Sequence, residues 1–432
     1  MRDRFLVGLI LVYAVVYGLL SWLRFATFHA QIDMSYYLRL VWGLGHGHPD
    51  VPLVQAPHWL GLHLEPILVP YALLGAAGVP LAPLLLLSQA MAVALLAWPA
   101  YRLGARHLGP GWPARTVAVA ALIYPTVTVA TLHDFHPITV ALPALLGLCD
   151  ALDEGRPKRA LALGALALSC REDVALQLAL VCMLWAWRFP QRRRAALMLG
   201  AMLGAYFFTY VLLVQPRFLP PAGSYNLHFA NLGGQAAHSA PEVLRLLLSH
   251  PVKVMAHLAT TERLLYPLRL LWPVALLPLL APDLLLPALP ILIINVLSDF
   301  PRVRTIEAHY ATALVPFVLA AAIVGAARAQ TWLRGPMRHL PLLALSGCVW
   351  LSHYHHGASP MSLRSARFSW QSFRHGPRAA EIRAALAAVP PAATVAARPG
   401  VLAHLAERPR ATSPPEYDDG RPVDVHIALE PN

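Results

Sequence analysis

The sequence predicts an all-α polytopic membrane bundle of about eleven transmembrane helices, with interfacial helices in a first outer loop and a small C-terminal α/β appendage. Three observations predict this. Of 432 residues, 57% are hydrophobic and 13% charged, and the mean hydropathy of +0.53 is too apolar for an ordinary soluble chain. Several apolar runs approach the roughly 17–25 residues needed to cross about 30 Å of hydrocarbon. The formal charge of +12 sits mostly on Arg and Lys in short loops beside those runs, which is a signature of membrane topology and gives no support for nucleic acid as a partner.

Spans are expected near residues 5–23, 81–101, 117–130, 138–152, 160–169, 174–187, 195–214, 264–280, 284–296, 311–327 and 340–351. The first run has no small-residue cleavage site and reads as a retained signal anchor. The runs at 160–169 and 174–187 are short, so they are expected to pack inside the bundle beside a water-accessible depression. A cytoplasmic N-terminus places Arg2, Arg4, Arg102, Arg106, Arg115, Arg156, Lys158, Arg159, Arg188, Arg192, Arg193, Arg194, Arg328, Arg334 and Arg338 inside, as the positive-inside rule requires of a multi-pass plasma (inner) membrane protein. The loop 24–80, the turn at 133–137, the segment 215–263 and the tail then lie outside. A membrane domain therefore covers 1–354 and an extracytoplasmic tail 355–432. Of the 20 histidines, only His107 and His339 fall on the inner side. Histidine standing in for lysine where positive charge would spoil topology accounts for many of the rest.

Within the first outer loop, Met34, Tyr37, Leu38, Val41, Trp42 and Leu44 recur at helical spacing and predict an amphipathic helix over 33–45 lying in the interface. The run 62–74 is short for a span and is bounded by Pro66 and Gly75, so it reads as juxtamembrane or re-entrant. In the tail, helices are expected over 378–389 and 399–406 and strands over 393–397 and 423–429. Cys149, Cys170, Cys182 and Cys348 lack metal-site or disulfide spacing and read as packing residues.

Acidic residues near a bilayer are costly and mark candidate sites. Asp33 opens the predicted interfacial helix, where it serves either as an N-cap or as a general base for an acceptor hydroxyl or amine. His133, Asp134 and His136 form a compact cluster that suits a divalent metal such as Zn or Mn, or a turn in which Asp134 fixes a histidine tautomer. His58, His63 and Glu65 belong to the same predicted layer. Arg171, Glu172 and Asp173 read either as an internally paired cluster or as a substrate-orienting group, with Arg171 on a phosphate. Arg217, Arg263, Arg269, Arg302 and Arg304, with His309 and Tyr310, are candidate phosphate contacts, against plain lipid-headgroup anchoring. No Walker loop, dinucleotide glycine fingerprint or nucleophile elbow is present, which excludes support for a soluble-nucleotide enzyme.

An ordered set of short motifs runs through most of the chain. It comprises Ile32-Asp33-Met34 with Trp42 and His46-Gly47, His63-Leu64-Glu65-Pro66, His133-Asp134-Phe135-His136-Pro137, Arg171-Glu172-Asp173, Asn231-Leu232-Gly233-Gly234, and His309-Tyr310. In these the chain resembles the bacterial and archaeal membrane family known as domain of unknown function 2079, itself similar to polytopic glycosyltransferases of the C-type (GT-C) fold. The resemblance implies a bundle whose first outer loop carries an acidic catalytic residue, with a polyprenyl-phosphate sugar as donor and often a metal. Asp33 is the matching position. Ile32 replaces the family's usual Phe and Arg171 its usual Lys, which keeps the positive charge. The implied activity is transfer of a lipid-linked sugar at the outer face of the cell envelope. The alternative is a non-catalytic transporter or lipid-binding scaffold whose buried polar residues line a path.

Overall fold

The computed structural model describes residues 3–219, 224–232, 234–360, 362, 368–413 and 422–429. Its main chain is mostly helical. In order the helices are α1 (Arg4–Ala26), α2 (Ile32–Gly45), α3 (Leu68–Ala76), α4 (Leu81–Ala94), α5 (Ala97–His107), α6 (Trp112–Ile123), α7 (Pro125–Leu132), α8 (Pro137–Asp153), α9 (Pro157–Leu168), α10 (Val174–Arg188) and α11 (Arg193–Thr209). They continue as α12 (Ser224–His228), α13 (Ala240–Ser249), α14 (Pro251–Leu258), α15 (Thr261–Leu271), α16 (Leu289–Leu297), α17 (Val315–Thr331), α18 (Leu340–His356), α19 (Ala379–Ala388) and α20 (Pro399–Leu402).

Against the expected count of about eleven spans, four helical stretches among the described residues are long and apolar enough to cross a membrane: Arg4–Ala26, Leu81–His107, Pro190–Arg217 and His309–Thr331. The pair α6 and α7, bent by 48°, makes a fifth when taken as one span. The apolar runs are where the sequence places them, but the 40 prolines divide them. A proline lacks the amide donor that would continue the preceding helix and fits the first turn of a new one, as in α6, α7, α8 and α9. The expected span at 264–280 becomes α15 followed by short 3-10 turns around Pro273 and Pro278. At about 1.5 Å per residue the 17 residues of α8 rise about 25 Å, short of a full crossing.

α8 and α17 form the centre. Val315, Phe317, Val318, Leu319, Ala321 and Ile323 are buried, and Leu142, Leu145 and Leu146 meet them from α8. Gly325 permits the closest approach in this region, since a Cβ there would lie 2.0 Å from the Leu277 carbonyl oxygen. α1 turns Leu11, Val12, Val15 and Leu19 outward as an exposed apolar flank.

Charge separates to the two ends of the bundle. At one end Asp150, wholly buried near the end of α8, takes Arg102 at 2.9 Å, Arg106 at 2.6 Å and Arg159 at 3.1 Å, while Asp153 pairs with Arg106 and His107. At the other end, where α8 starts, lie most of the candidate site residues.

α2 is not an interfacial helix with one wet face. Met34, Leu38 and Val41 pack on the bundle, while Ser35 and Arg39, on the other side, are equally buried because the tail covers them. Ser35 donates to the Pro399 carbonyl, Arg39 donates to the Pro409 carbonyl, and the Gly400 Cα sits so near the Phe28 carbonyl that a Cβ would be 1.9 Å from its oxygen. The tail carries α19, α20 and a three-stranded parallel sheet of β1 (Val395–Ala397), β2 (Ala411–Thr412) and β3 (Val425–Ile427) in the order β2-β1-β3. Two of the strands and both helices fall where the sequence predicts; the two-residue β2 carries no periodic signal. The run 62–74 becomes the nine-residue α3, too short to span.

Candidate functional site

The site starts at the end of α1. Phe28 takes a left-handed backbone (φ 66°), the chain reverses, and α2 begins with Asp33 in its first turn. Asp33 is not the cap of that helix. The Asp134 carboxylate, from the turn between α7 and α8, accepts from the amides of Gln31 at 3.1 Å and Met34 at 2.9 Å, so the capping comes from across the fold. Burial pushes the Asp134 carboxyl up to about 7, helped by the negative charge of Asp33 and opposed by Arg24 and the Gln31 amide.

Asp33 turns instead to a group of histidines. Its Oδ2 lies 3.4 Å from His136 Nε2 and 3.8 Å from His133 Nδ1. His309, from the 3-10 turn entering α17, completes the group: its ring centroid is 3.8 Å from that of His136 and 5.3 Å from that of His133. One ligand-capable atom from each of Asp33, His133, His136 and His309 falls within 4.8 Å of the others. The expected set of His133, Asp134 and His136 is thereby rearranged: the two histidines are present, Asp134 has turned to α2, and Asp33 and His309 complete the cluster.

Gln89, wholly buried in α4, sets the turn. Its Oε1 accepts from the His136 amide at 2.8 Å, and its Nε2 donates to the Asp134 carbonyl at 2.9 Å and the Ala130 carbonyl at 3.2 Å. His136 Nδ1 lies 3.2 Å from the Asp134 carbonyl, which favours the tautomer whose Nε2 lone pair faces Asp33. Gln89 was not among the expected residues. A glutamine in an otherwise apolar run is the signal that points to it.

A second polar group adjoins the first. His63 Nδ1 is 2.9 Å from Glu172 Oε1, and the Leu64 amide donates to Glu172 Oε2 at 2.9 Å. Burial alone would lower His63, but the Glu172 charge beside it raises it to about 9. Burial alone would raise Glu172, yet His63, Arg171 and the Leu64 amide hold it below the usual carboxylate range. Glu65 is almost wholly buried, accepts from the Tyr37 hydroxyl at 3.2 Å, and leaves Oε2 with no hydrogen-bond partner among the described residues. Burial raises its pKa to about 7, opposed mainly by His63. Arg171 forms a two-pronged pair with Asp173, at 2.8 and 2.6 Å, while Glu172 leaves the triplet for His63. Tyr37 joins the two groups, its hydroxyl on Glu65 and its ring edge-on to His136 at 5.6 Å.

Other expected residues lie apart. Arg263 is held by the Val296 and Ser298 carbonyls and by Asp299 at 3.3 Å, and buried Arg304 also donates to the Ser298 carbonyl, so both serve the local chain path. Arg217, Arg269 and Arg302 are exposed. Tyr310 touches His309 and, through its ring, His228 and Phe300. Within the Asn231–Gly234 motif, residue 233 lies outside the described residues; the Asn231 amide donates to Asp299 at 2.7 Å.

The model of the family described as "Predicted membrane protein (DUF2079)" matches residues 24–423, which includes every member of both polar groups. The chain is a DUF2079 membrane protein. A search of curated proteins returns no match. Membership in DUF2079 accounts for the apolar helices, and the site adds what the family description does not contain: the ordered motifs of the sequence converge at one end of the bundle. The cavity against Ser21, Met34, His133 and Asp134 has a volume of about 10 Å³, room for one water. A cavity of about 320 Å³ lies at the opposite, arginine-rich end, between Leu103, Leu152, Trp185 and Arg328.

Proposed function

We propose that this membrane protein is a glycosyltransferase that moves a sugar from a polyprenyl-phosphate donor to an acceptor at the extracytoplasmic face. The histidine-rich end faces outward and the arginine-rich end faces the cytoplasm, in accord with the positive-inside rule for the plasma (inner) membrane. One observation carries the reading: Asp33, the acidic residue that follows the first span, is held beside three histidines from two distant segments and left 34% exposed, while a neighbouring aspartate performs the capping. A carboxylate so placed accepts the proton of an acceptor hydroxyl or amine as that group attacks the anomeric carbon. His63, Glu65 and Glu172 supply polar contacts for the sugar. Arg171 and His63 are the cations available to a lipid phosphate as it leaves; displacement with inversion follows when nucleophile and leaving group lie on opposite faces of that carbon.

The transporter or scaffold alternative draws less support. Between the two ends Leu142, Leu146, Val315, Val318 and Ala322 belong to one apolar cluster, whereas a permeation path needs polar lining. A lipid-linked donor reaches Asp33 from its exposed flank.

The test uses proteoliposomes and a polyprenyl-phosphate donor labelled in the sugar, supplied with an envelope extract as acceptor. The expected outcome is loss of label from the lipid fraction with wild-type protein and at least a 100-fold slower loss with Asp33→Asn. Equal rates for the two would remove Asp33 from the mechanism. Passage of intact labelled lipid across the bilayer without transfer would support the transporter instead.

A further inference from the structure

Four metal-capable side chains converge at this site. The two Asp33 to histidine approaches, 3.4 and 3.8 Å, exceed the 2.7–3.2 Å of an ordinary N–H···O bond. His309 is mostly covered, and its buried Nδ1 has no hydrogen-bond partner among the described residues. The four ligand-capable atoms, all within 4.8 Å of one another, converge from three segments of the chain.

The spacing fits a cation. Around a tetrahedral ion with bonds of about 2.0–2.1 Å, ligand atoms lie about 3.3 Å from each other. The Asp33 to His136 separation already matches this, the Asp33 to His133 separation is somewhat longer, and the widest pair, within 4.8 Å, closes by side-chain rotation. His136 and His309 stack nearly parallel, so one ring turns when both ligate. The supporting contacts are in place: His136 Nδ1 rests on the Asp134 carbonyl and Gln89 holds the turn, the kind of outer contact that orients a ligating imidazole.

The geometry points to a zinc-class divalent metal site formed by Asp33, His133, His136 and His309. Three nitrogens and one oxygen suit Zn²⁺ and disfavour Mg²⁺ and Ca²⁺, which take oxygen ligands. Asp33 is the ligand with appreciable exposure, so the metal faces the same flank by which an acceptor reaches the carboxylate. A metal there lowers the pKa of a bound hydroxyl and complements the proton acceptance assigned to Asp33. The inference deepens the transferase reading by naming its cofactor, but it stands on coordination geometry alone.

The test measures metal directly. Purified full-length protein is stripped with chelator, equilibrated with Zn²⁺ or Mg²⁺ and desalted, and its metal content is read by plasma mass spectrometry; Co²⁺ is loaded in parallel for its visible spectrum. About one Zn²⁺ per chain is expected, with no retained Mg²⁺ and an intense tetrahedral Co²⁺ spectrum. His309→Gln and His136→Gln, each checked for native elution and circular dichroism, are expected to bind at least 10-fold more weakly. Folded wild-type protein that retains no Zn²⁺ and gives no Co²⁺ spectrum overturns the site, as does binding that both variants leave unchanged. Metal bound without sugar transfer defeats the transferase reading and leaves the site standing; transfer by protein that retains no Zn²⁺ after loading does the reverse.

Discussion

Asp134 does for α2 what its sequence position would assign to Asp33. Two amides at the start of α2 depend on the Asp134 carboxylate, and through them so does the direction in which Asp33 points. Asp134→Ala should lower stability by about 1–2 kcal/mol, the usual range for a lost cap, whereas Asp134→Asn, which can still accept, should lose much less. Thermal unfolding in detergent checks this, and equal midpoints for the two variants would contradict the capping assignment. A second prediction at this scale concerns pH. His63 is raised to about 9 from an ordinary 6.5, so its contribution is fully present below 6.5 and is lost as pH rises through 9. Glu172 is lowered, so its contribution is present above its ordinary 4.5 and fades as pH falls below that. Glu65, raised to about 7, favours the folded state while protonated, a preference that declines as pH rises from 4.5 through 7. Unfolding midpoints should therefore fall between pH 6 and 9, modestly because the His63 side chain is 44% exposed and solvent screens the pair. Glu172→Gln should flatten the fall; an unchanged slope would remove the pair from the account.

At the scale of elements, the sequence makes the apolar runs legible and their continuity illegible. Hydropathy over residues 264–280 is high enough for a span, but Pro267, Pro273 and Pro278 turn that stretch into α15 and 3-10 turns. Hydropathy records how apolar a segment is and does not record whether its backbone hydrogen bonds run unbroken. α2 shows a different limit. Its apolar stripe is real, but Arg39 and Ser35 on the other side are buried by a tail more than 350 residues later in the chain, and no local pattern announces such a partner. That docking yields a third prediction. Gly400→Ala would put a Cβ against the Phe28 carbonyl, so the tail must shift, at a cost of about 1–3 kcal/mol. Limited proteolysis should cleave the tail several-fold faster in the variant; unchanged cleavage would mean that the close approach is dispensable.

For the whole molecule, the division into an arginine-rich and a histidine-rich end was readable from charge, because loop arginines and lysines mark one side of a bilayer irrespective of helix breaks. The candidate site was half readable. Asp33, His133, His136 and His309 all stood out as polar residues at the edges of apolar runs, yet their grouping depends on Gln89, on the turn at Phe28 and on Asp134 facing α2, which are products of the fold. Arg263, equally conspicuous in the sequence, is used by the chain path near Asp299. The account therefore concentrates function at one end of the bundle and gives the other a structural role around Asp150. An electron cryomicroscopy structure of the protein in nanodiscs with a polyprenyl phosphate tests this most directly. The account predicts phosphate density within reach of Arg171 or His63 on the side of Asp33. Density in the arginine-rich cavity lined by Leu103, Trp185 and Arg328, with none beside Asp33, would contradict it.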